Sequence, residues 1–390
     1  MSKSNNNFLP YSRQEIIEED IENVIDVLKS DFLTQGDRVP LLEKLISRKV
    51  KSKYCVAVNS ATSALHLSCL ALGLTKSDIL WTSPNSFVAS ANCGLYCGAD
   101  IDFVDINLSN GLIDIELLEQ KLVQAEKRDK LPKILIPVHF AGVSCNMEKI
   151  YSLSKEYGFS IIEDASHALG GKFNNDYVGS CKYSSITVFS FHPVKIITTG
   201  EGGCATTNDK NLAKKISMLR SHGITKDQKE FELSPKGEWS YEQQLLGFNY
   251  RMSDMHASLG ISQLKRLDNI VEIRNQKLNL YHELFEKLPL KIHKPSHNIL
   301  SSVHLGVIKL NNKDPLFHKY IFKTLRKKGI GVQVHYAPIH LNPYFRKKGF
   351  REGDFPMAET HALSSLSIPL YTTLSVHDQI RVTNSLKELL

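Results

Sequence analysis

Lys195 is the residue of this chain whose position most directly suggests covalent chemistry. It ends the segment SFHPVK at residues 190–195, after an apolar stretch at 186–189, and a glycine-rich turn follows at 200–203. Proteins that alternate strands with helices build their sites just beyond strand ends of this kind. Schiff-base chemistry needs a primary amine that is held at one point and can lose its charge. An isolated lysine is usually a surface residue, so this interpretation depends on the other candidates.

Asp164 ends the segment IIED at residues 161–164, just after a second predicted strand at 159–162. A carboxylate here could face the pyridine nitrogen of pyridoxal phosphate, because an anion keeps that nitrogen protonated and the ring electron-withdrawing. The alternative is that Asp164 only caps the turn that follows it. His167 lies three residues further along and could act beside the same ring, although a single histidine is more often structural.

Ser60, Ala61 and Thr62 are small residues that follow an apolar stretch at 54–58 and open an amphipathic helix. Free backbone N–H groups and the positive end of the helix dipole would face a phosphate at this point. The alternative is a plain serine N-cap, which begins many helices. The sequence therefore offers a phosphate cradle, a ring carboxylate and a lysine, in that order.

The elements that would position these residues follow an alternating pattern from residue 54 to about 219. Continuously apolar stretches predict buried strands, and the segments between them predict crossover helices, which together indicate a mostly parallel sheet covered on both faces. Strands are predicted at 54–58, 79–81, 101–104, 134–138, 159–162 and 186–189, and helices at 62–72, 87–96, 147–157 and 212–219.

The two ends of the chain have different patterns. A helix is predicted at residues 14–29, and one long helical stretch runs from about 255 to 288. Beyond Pro289, strands at 303–310 and 332–334 and helices at 317–327 and 377–389 indicate a smaller α/β domain. We predict a large domain at 1–288 and a small domain at 289–390.

Composition excludes several classes of partner. The net charge of +7 is spread over scattered lysines and arginines without interleaved aromatic residues, so no nucleic-acid interface is predicted. Residues 1–10 are polar, and no run of about 18 apolar residues predicts a membrane span. The seven cysteines contain no CxxC motif and are interpreted as reduced thiols without a metal site. We therefore expect a cytoplasmic protein that binds neither membrane nor metal.

Further short motifs occur in order along the chain, together with the three candidate site segments described above. They are residues 32–36 (FLTQG), 59–65 (NSATSAL), 83–89 (SPNSFVA), 163–170 (EDASHALG), 190–195 with 200–203, and 247–252 (GFNYRM). In these motifs the chain resembles the DegT/DnrJ/EryC1/StrS sugar aminotransferases along essentially its whole length. The resemblance implies pyridoxal phosphate as the cofactor. It also implies the α/β fold called fold type I of the pyridoxal-phosphate transferases. In this fold a large domain is built around a mostly parallel sheet of the seven-stranded type, and a smaller α/β domain follows at the C-terminus.

The resemblance also implies roles for individual residues. Catalytic roles fall on Lys195, which would bind the cofactor covalently, on Asp164 at the ring nitrogen and on His167 near the ring. Phe87 would stack on the ring, unless it is a helix core residue, and Asn249 would reach the phosphate of a neighbouring subunit's cofactor. A homodimer with shared sites is therefore expected. The full set of expected cofactor contacts is Ser60, Ala61, Thr62, Phe87, Asp164, Ser190, Lys195 and Asn249.

Among these enzymes, the chain most resembles the C4-aminotransferases of pseudaminic acid biosynthesis, in residues 34–36, 190–199 and 332–336. This likeness implies amino transfer, by analogy from L-glutamate, to C4 of a UDP-linked 4-keto-6-deoxy-N-acetylhexosamine. The expected substrate contacts are Tyr11, Asp31, Phe32, Leu33, Thr34, His335 and Tyr336.

Three alternatives to this substrate and reaction stay open. Residues 337–344 have the general family form, so a GDP- or dTDP-linked keto sugar is an alternative substrate. A sugar dehydratase of the same family would replace the lysine with histidine, whereas this chain has Lys195. A non-catalytic sensor would be expected to lose the lysine or the carboxylate.

Overall fold

A seven-stranded sheet forms the centre of the larger part of the chain in the computed structural model, which describes residues 8–390. The strands of the chain are β1 (Tyr54–Val58), β2 (Ile79–Thr82), β3 (Asp100–Phe103), β4 (Ile134–Ile136), β5 (Ser160–Asp164), β6 (Lys172–Phe173), β7 (Asp176–Tyr177), β8 (Ile186–Ser190), β9 (Gly203–Thr207), β10 (Ile224–Thr225), β11 (Glu242–Gln243), β12 (Leu290–Ile292), β13 (Ile299–Leu300), β14 (Gly306–Leu310) and β15 (Ser365–Ile368).

The helices lie between and beyond these strands. They are α1 (Glu18–Leu28), α2 (Arg38–Val50), α3 (Ala61–Ala71), α4 (Ala89–Tyr96), α5 (Ile115–Glu126), α6 (Met147–Tyr157), α7 (Lys210–Leu219), α8 (Asp254–Lys265), α9 (Leu267–Leu284), α10 (Pro315–Lys327), α11 (Pro343–Arg346), α12 (Pro356–Ser364) and α13 (Val376–Lys387). No helix among residues 8–390 combines the length and the apolar character that a membrane crossing requires.

The large sheet has the order β1-β9-β8-β5-β4-β2-β3. The pairs β8/β5, β5/β4, β4/β2 and β2/β3 are parallel, whereas β9 is antiparallel to both of its neighbours. The prediction of a mixed α/β chain with a mostly parallel central sheet is therefore confirmed. Strand β9 was not predicted, because its sequence GCATT has no long apolar run, although all five of its residues are buried.

Helix α3 carries the N-terminus that faces the candidate site. Ser60 is its N-cap, with Oγ accepting a hydrogen bond from the N–H of Ser63, and the helix packs across β8 and β9. Gly203 at the start of β9 makes this approach possible, because a Cβ atom there would lie 2.5 Å from the backbone nitrogen of Ala61. The close packing fixes the start of α3 beside the end of β8 and the start of β9.

The C-terminal part has its own antiparallel sheet, β12-β14-β15, which packs with α9, α10 and α13 around a separate apolar core. Leu9 pairs with Ile330 of this part, and β13 pairs with β6 of the larger part. Segments thus cross between the two predicted domains in both directions, and the boundary at residue 289 stays a prediction.

Two sequence-based expectations are wrong in detail. The predicted helix at 255–288 is two helices, α8 and α9, which are separated at Arg266, whose guanidinium lies 2.6 Å from the buried carboxylate of Asp20. The predicted strand at 332–334 is reduced to a single bridge between Gln333 and Ser367. The contact between Arg266 and Asp20 and the bridge between Gln333 and Ser367 join residues that are distant in sequence, so local periodicity does not report them.

Candidate active site

One cavity of about 450 Å³ brings together most of the residues that the sequence singled out. It lies where the N-terminus of α3, the ends of β5 and β8 and the segment at 335–336 meet. The predicted site residues that line it are Tyr11, Ser60, Ala61, Thr62, Phe87, Asp164, His167, Ser190, Lys195, His335 and Tyr336.

Lys195 is held at the wall of this cavity by the turn that follows β8, where its backbone N–H donates to the carbonyl of His192. Burial disfavours the ammonium form and lowers the pKa of Lys195 to about 8, although the nearby carboxylate of Asp164 acts in the opposite direction. A lysine with this pKa is largely protonated at neutral pH but readily supplies a free amine, as a nucleophile or a proton carrier requires.

The rate at which the cofactor-free protein takes up pyridoxal phosphate should therefore depend on pH. Only the neutral amine attacks a carbonyl, so the rate should fall about tenfold for each pH unit below about 8 and level off above it. Rapid-mixing absorbance measurements across this range would follow the uptake. A rate that keeps rising towards about pH 10, the pKa of an ordinary lysine, would show that burial does not lower the pKa of Lys195.

Asp164 is the last residue of β5 and is 5% exposed. Its Oδ2 accepts a hydrogen bond of 2.6 Å from Ser90 Oγ, and its Oδ1 accepts one of 3.1 Å from the N–H of Ser166. Each carboxylate oxygen can accept two hydrogen bonds, so the group keeps acceptor capacity towards the cavity. A fixed, buried carboxylate of this kind fits a protonated pyridine nitrogen.

The start of α3 fits the other end of the cofactor. Among residues 8–390, no acceptor takes the backbone N–H groups of Ala61 and Thr62, and the hydroxyls of Ser60 and Ser190 line the same cavity. Unpaired N–H groups at the positive end of a helix are a ready-made phosphate site. The donors in this cavity therefore match a molecule with a phosphate at one end and a pyridine ring at the other.

Phe87 also lines the cavity and is 59% exposed. It precedes α4, whose first residue is Ala89, so it is not part of a helix core. A large aromatic side chain at the open mouth of a cavity can cover a planar ring that binds there. The interpretation of Phe87 as a buried helix residue is therefore wrong.

His167 and Tyr336 form a short hydrogen-bonded chain. His167 Nδ1 accepts from the N–H of Ala141 at 3.2 Å, so the proton of the neutral ring lies on Nε2, which is 3.1 Å from the Tyr336 hydroxyl oxygen. Burial lowers the pKa of His167 well below its usual value and raises that of Tyr336. Both groups therefore stay neutral, and Tyr336 keeps a hydroxyl proton that it can donate into the cavity.

His335 and Tyr11 form the adjoining wall, with ring centroids 5.2 Å apart. His335 Nδ1 lies 2.7 Å from Ser367 Oγ, and burial lowers the pKa of this histidine to about 3. The hydroxyl and ring nitrogen of these two side chains are polar but uncharged at neutral pH. This wall is suited to an uncharged polar ligand.

Five predicted residues do not line this cavity within one chain: Asp31, Phe32, Leu33, Thr34 and Asn249. The first four follow α1, and Phe32 is 63% exposed. Asn249 is exposed in the segment before α8, where it pairs with Ser221. The N–H of Asp254 donates to the carbonyl of Leu33, so both groups lie near the start of α8.

Several residues that line or support the site were missed, among them Ser90 and His304. Ser90 donates to Asp164, and its spacing of four from Ser86, with the two hydroxyl oxygens 2.7 Å apart, is a helical signal that could have indicated it. His304 is 2% exposed, and its ring centroid is 4.3 Å from that of His167. Its segment contains no motif, so only the folded chain reveals it.

Comparison with known proteins gives matches along nearly the whole chain. Residues 14–387 match the DegT/DnrJ/EryC1/StrS aminotransferase family. The chain is 38% identical over 383 residues to the UDP-4-amino-4,6-dideoxy-N-acetyl-beta-L-altrosamine transaminase of Campylobacter jejuni serotype O:2, covering 98% of this chain and 97% of that protein. It is 35% identical to the spore coat polysaccharide biosynthesis protein SpsC of Bacillus subtilis, covering 100% and 99%.

Solved structures give the same picture. The aminotransferase PseC of Helicobacter pylori, described as involved in the biosynthesis of pseudoaminic acid, has a TM-score of 0.90 at 32% identity, covering 98% of this chain and 99% of that one. The PLP-form of the putative sugar aminotransferase Spr1654 from Streptococcus pneumoniae has a TM-score of 0.88 at 27% identity, covering 98% of both chains.

Proposed function

The chain belongs to the DegT/DnrJ/EryC1/StrS aminotransferase family, and on that basis we propose that it transfers the amino group of L-glutamate to C4 of a UDP-linked 4-keto-6-deoxy-N-acetylhexosamine. The chain is a sugar aminotransferase that uses pyridoxal phosphate, as its sequence predicted. Its fold is that of the pyridoxal-phosphate aminotransferases. The observation that carries the chemistry is the presence of Lys195, Asp164 and the N-terminus of α3 around one cavity.

Bound pyridoxal phosphate supplies an electron sink that stabilises negative charge on the carbon whose nitrogen is being transferred. The phosphate would lie against the N–H groups of Ala61 and Thr62 and the hydroxyls of Ser60 and Ser190. Asp164 would hold a positive charge at the ring nitrogen, and Phe87 would cover the ring from the open side. These contacts would fix the ring with Lys195 at its edge.

Lys195 would then move the proton. Its Nζ would take a proton from Cα of the amino donor in the first half-reaction and deliver a proton to C4 of the sugar in the second. A pKa of about 8 suits both directions, because Nζ gains and loses a proton at little cost near neutral pH. Tyr336, held by the neutral His167, would donate a hydrogen bond to an oxygen of the bound substrate.

Two findings support the sugar. The relatives with 38% and 32% identity over nearly the whole chain are an altrosamine transaminase and a pseudoaminic acid enzyme. The part of the cavity wall that His167, His335 and Tyr336 form is polar but uncharged at neutral pH. A sugar ring, which has several hydroxyls and no charge, matches such a wall.

The experiment is a panel of UDP-, GDP- and dTDP-linked 4-keto-6-deoxy sugars with L-glutamate, and NMR would give the C4 configuration of each product. We expect the UDP-linked N-acetylhexosamine to have the highest kcat/KM. Preferential amination of a GDP- or dTDP-linked sugar would refute the proposed substrate while leaving the aminotransferase chemistry intact. L-Aspartate in place of L-glutamate tests the donor in the same assay.

We further propose that the active unit is a homodimer with shared sites. Asn249 and the Asp31 to Thr34 segment are exposed and lie outside the cavity of their own chain, although the family resemblance assigns them to the site. If these residues contribute to the cavity of a partner subunit, both facts are explained.

The seven cysteines, all unpaired, support the expectation of a reducing, cytoplasmic compartment.

Mixing two defective chains tests the shared site. Equal amounts of the Lys195→Ala and Asn249→Ala chains, unfolded and refolded together, form mixed dimers in half of the cases. Each mixed dimer has one site with both residues intact, so activity should recover to about a quarter of the parental value. Recovery no greater than the sum of the two separate variants would contradict a shared site.

A further inference from the structure

A second cavity of about 460 Å³ lies on the far side of Phe140 from the catalytic cavity. Its walls are the loop after β3, the start of α6 and the edge formed by β12 and β14. It shares no lining residue with the catalytic cavity. The mechanism proposed above makes no use of it.

The charged residues that line this cavity are of one sign. They are Lys291, Lys294 and Lys309, and no aspartate or glutamate is among the lining residues. None of the three lysines forms an ion pair within the part of the chain that the structure describes. A cavity with three unpaired cations and no anion has a positive potential and attracts an anionic ligand.

Two of these lysines are placed against each other by the sheet. Lys291 in β12 and Lys309 in β14 are directly opposite partners in an antiparallel pair, and like charges in such positions destabilise the sheet. Burial, together with Lys313 and Lys291, lowers the pKa of Lys309. Its Nζ donates to the carbonyl of Leu108 at 3.1 Å, which compensates its charge only in part. An anion between the two lysines would remove this repulsion.

Other groups line the same cavity. His361 is 4% exposed, and its Nδ1–H donates to Ser365 Oγ at 3.3 Å, because that hydroxyl donates its own proton to the carbonyl of His361 at 2.7 Å. The ring of His361 therefore adds a polar wall and not a donor. Helix α6 begins beside the cavity with Asn146 as its N-cap, so the positive end of its dipole contributes. Phe140 and Phe173 add flat apolar walls.

We propose that this second cavity binds a small phosphate-bearing anion, with the phosphate between Lys291 and Lys309. A volume of about 460 Å³ also accommodates a ring attached to the phosphate, which could lie against Phe140 and Phe173. Free pyrophosphate and a nucleoside diphosphate share the recognised chemistry, and the experiment separates them. The proposal does not depend on which sugar the catalytic cavity takes.

The test is titration calorimetry of the cofactor-loaded enzyme with pyrophosphate, UDP and uridine at constant low ionic strength. The variant is Lys291→Gln/Lys309→Gln. The matched control is Lys319→Gln/Lys323→Gln, which removes two exposed lysines of α10 and gives the same change in net charge. Unchanged cofactor absorbance shows that each variant is folded.

We expect parental and control enzymes to bind one more pyrophosphate per chain than Lys291→Gln/Lys309→Gln, or to bind it at least tenfold more tightly at that site. If UDP binds the second cavity more tightly than pyrophosphate does, and uridine does not bind it, the ligand is a nucleotide. If UDP and pyrophosphate bind equally well, the cavity recognises the phosphate alone. Pyrophosphate should also raise the Tm of the parental enzyme more than that of the variant. Identical stoichiometry and affinity in all three proteins, or equal losses in the control, would overturn the proposal.

Discussion

Replacing Lys195 with alanine should lower the rate of amino transfer by roughly three orders of magnitude or more. The change removes the only amine that lines the catalytic cavity within the described residues, and with it the proton carrier that both half-reactions require. Burial of Nζ already prepares this amine by lowering its pKa to about 8. No other lining residue has a comparable group, so the loss should not be rescued by a neighbour.

Two further variants test whether the reaction needs the amine of Lys195 or only its positive charge. Lys195→Arg keeps a positive charge but cannot lose a proton, so it should be as inactive as Lys195→Ala. Lys210→Ala, at the exposed start of α7, should leave the rate unchanged. Single-turnover measurements of keto-acid release from L-glutamate, with the visible absorbance of the cofactor recorded in parallel, would report both effects. A Lys195→Ala rate close to the parental one would remove the basis of the mechanism.

Replacing Asp164 with asparagine should lower kcat by roughly 10²–10³-fold, the range seen when one preorganised electrostatic contact is lost. Asparagine has the shape of the carboxylate and can still accept from Ser166 N–H, so the fold should persist. It cannot hold a positive charge at a pyridine nitrogen, and the ring would then withdraw electrons less effectively.

Asp105→Asn is the matched control for this change. Asp105 is 7% exposed and accepts from the N–H groups of Met357 and Ala358, but it does not line the catalytic cavity. Asp105→Asn should therefore lower the thermal stability of the enzyme and leave kcat nearly unchanged. Asp164→Asn should lower kcat. If Asp164→Asn kept kcat within a few fold of the parental enzyme, the proposed role of the carboxylate at the pyridine nitrogen of the cofactor would be contradicted.

Much of the site could be predicted because its residues lie next to strongly apolar strands. Asp164 ends β5, Ser190 ends β8 and Ser60 follows β1, so the local pattern that predicts each strand also places the residue beyond it. The parallel order of these strands then brings their ends to one edge. The cofactor and the enzyme class, predicted from this arrangement and the family resemblance, are confirmed by the comparisons.

The rest depends on contacts that are distant in sequence. His304 reaches His167 only because the C-terminal part packs on the large sheet, and no local pattern reports that packing. Strand β9 is buried by α3 rather than marked by apolar residues of its own. The break between α8 and α9 lies at Arg266, whose partner Asp20 is in α1. The cavity behind Phe140 depends on the register of β12 and β14, which the sequence does not contain.

Transfer of a nitrogen label tests the central claim most directly. The purified protein would be incubated with ¹⁵N-labelled L-glutamate and the UDP-linked 4-keto-6-deoxy-N-acetylhexosamine, and the sugar product analysed by NMR and mass spectrometry. We predict ¹⁵N bonded to C4 of the sugar, together with an equal amount of 2-oxoglutarate. Loss of a sugar hydroxyl without incorporation of ¹⁵N would indicate a dehydratase, and an unchanged sugar with no oxoglutarate would indicate a protein that only binds; either result would contradict the account.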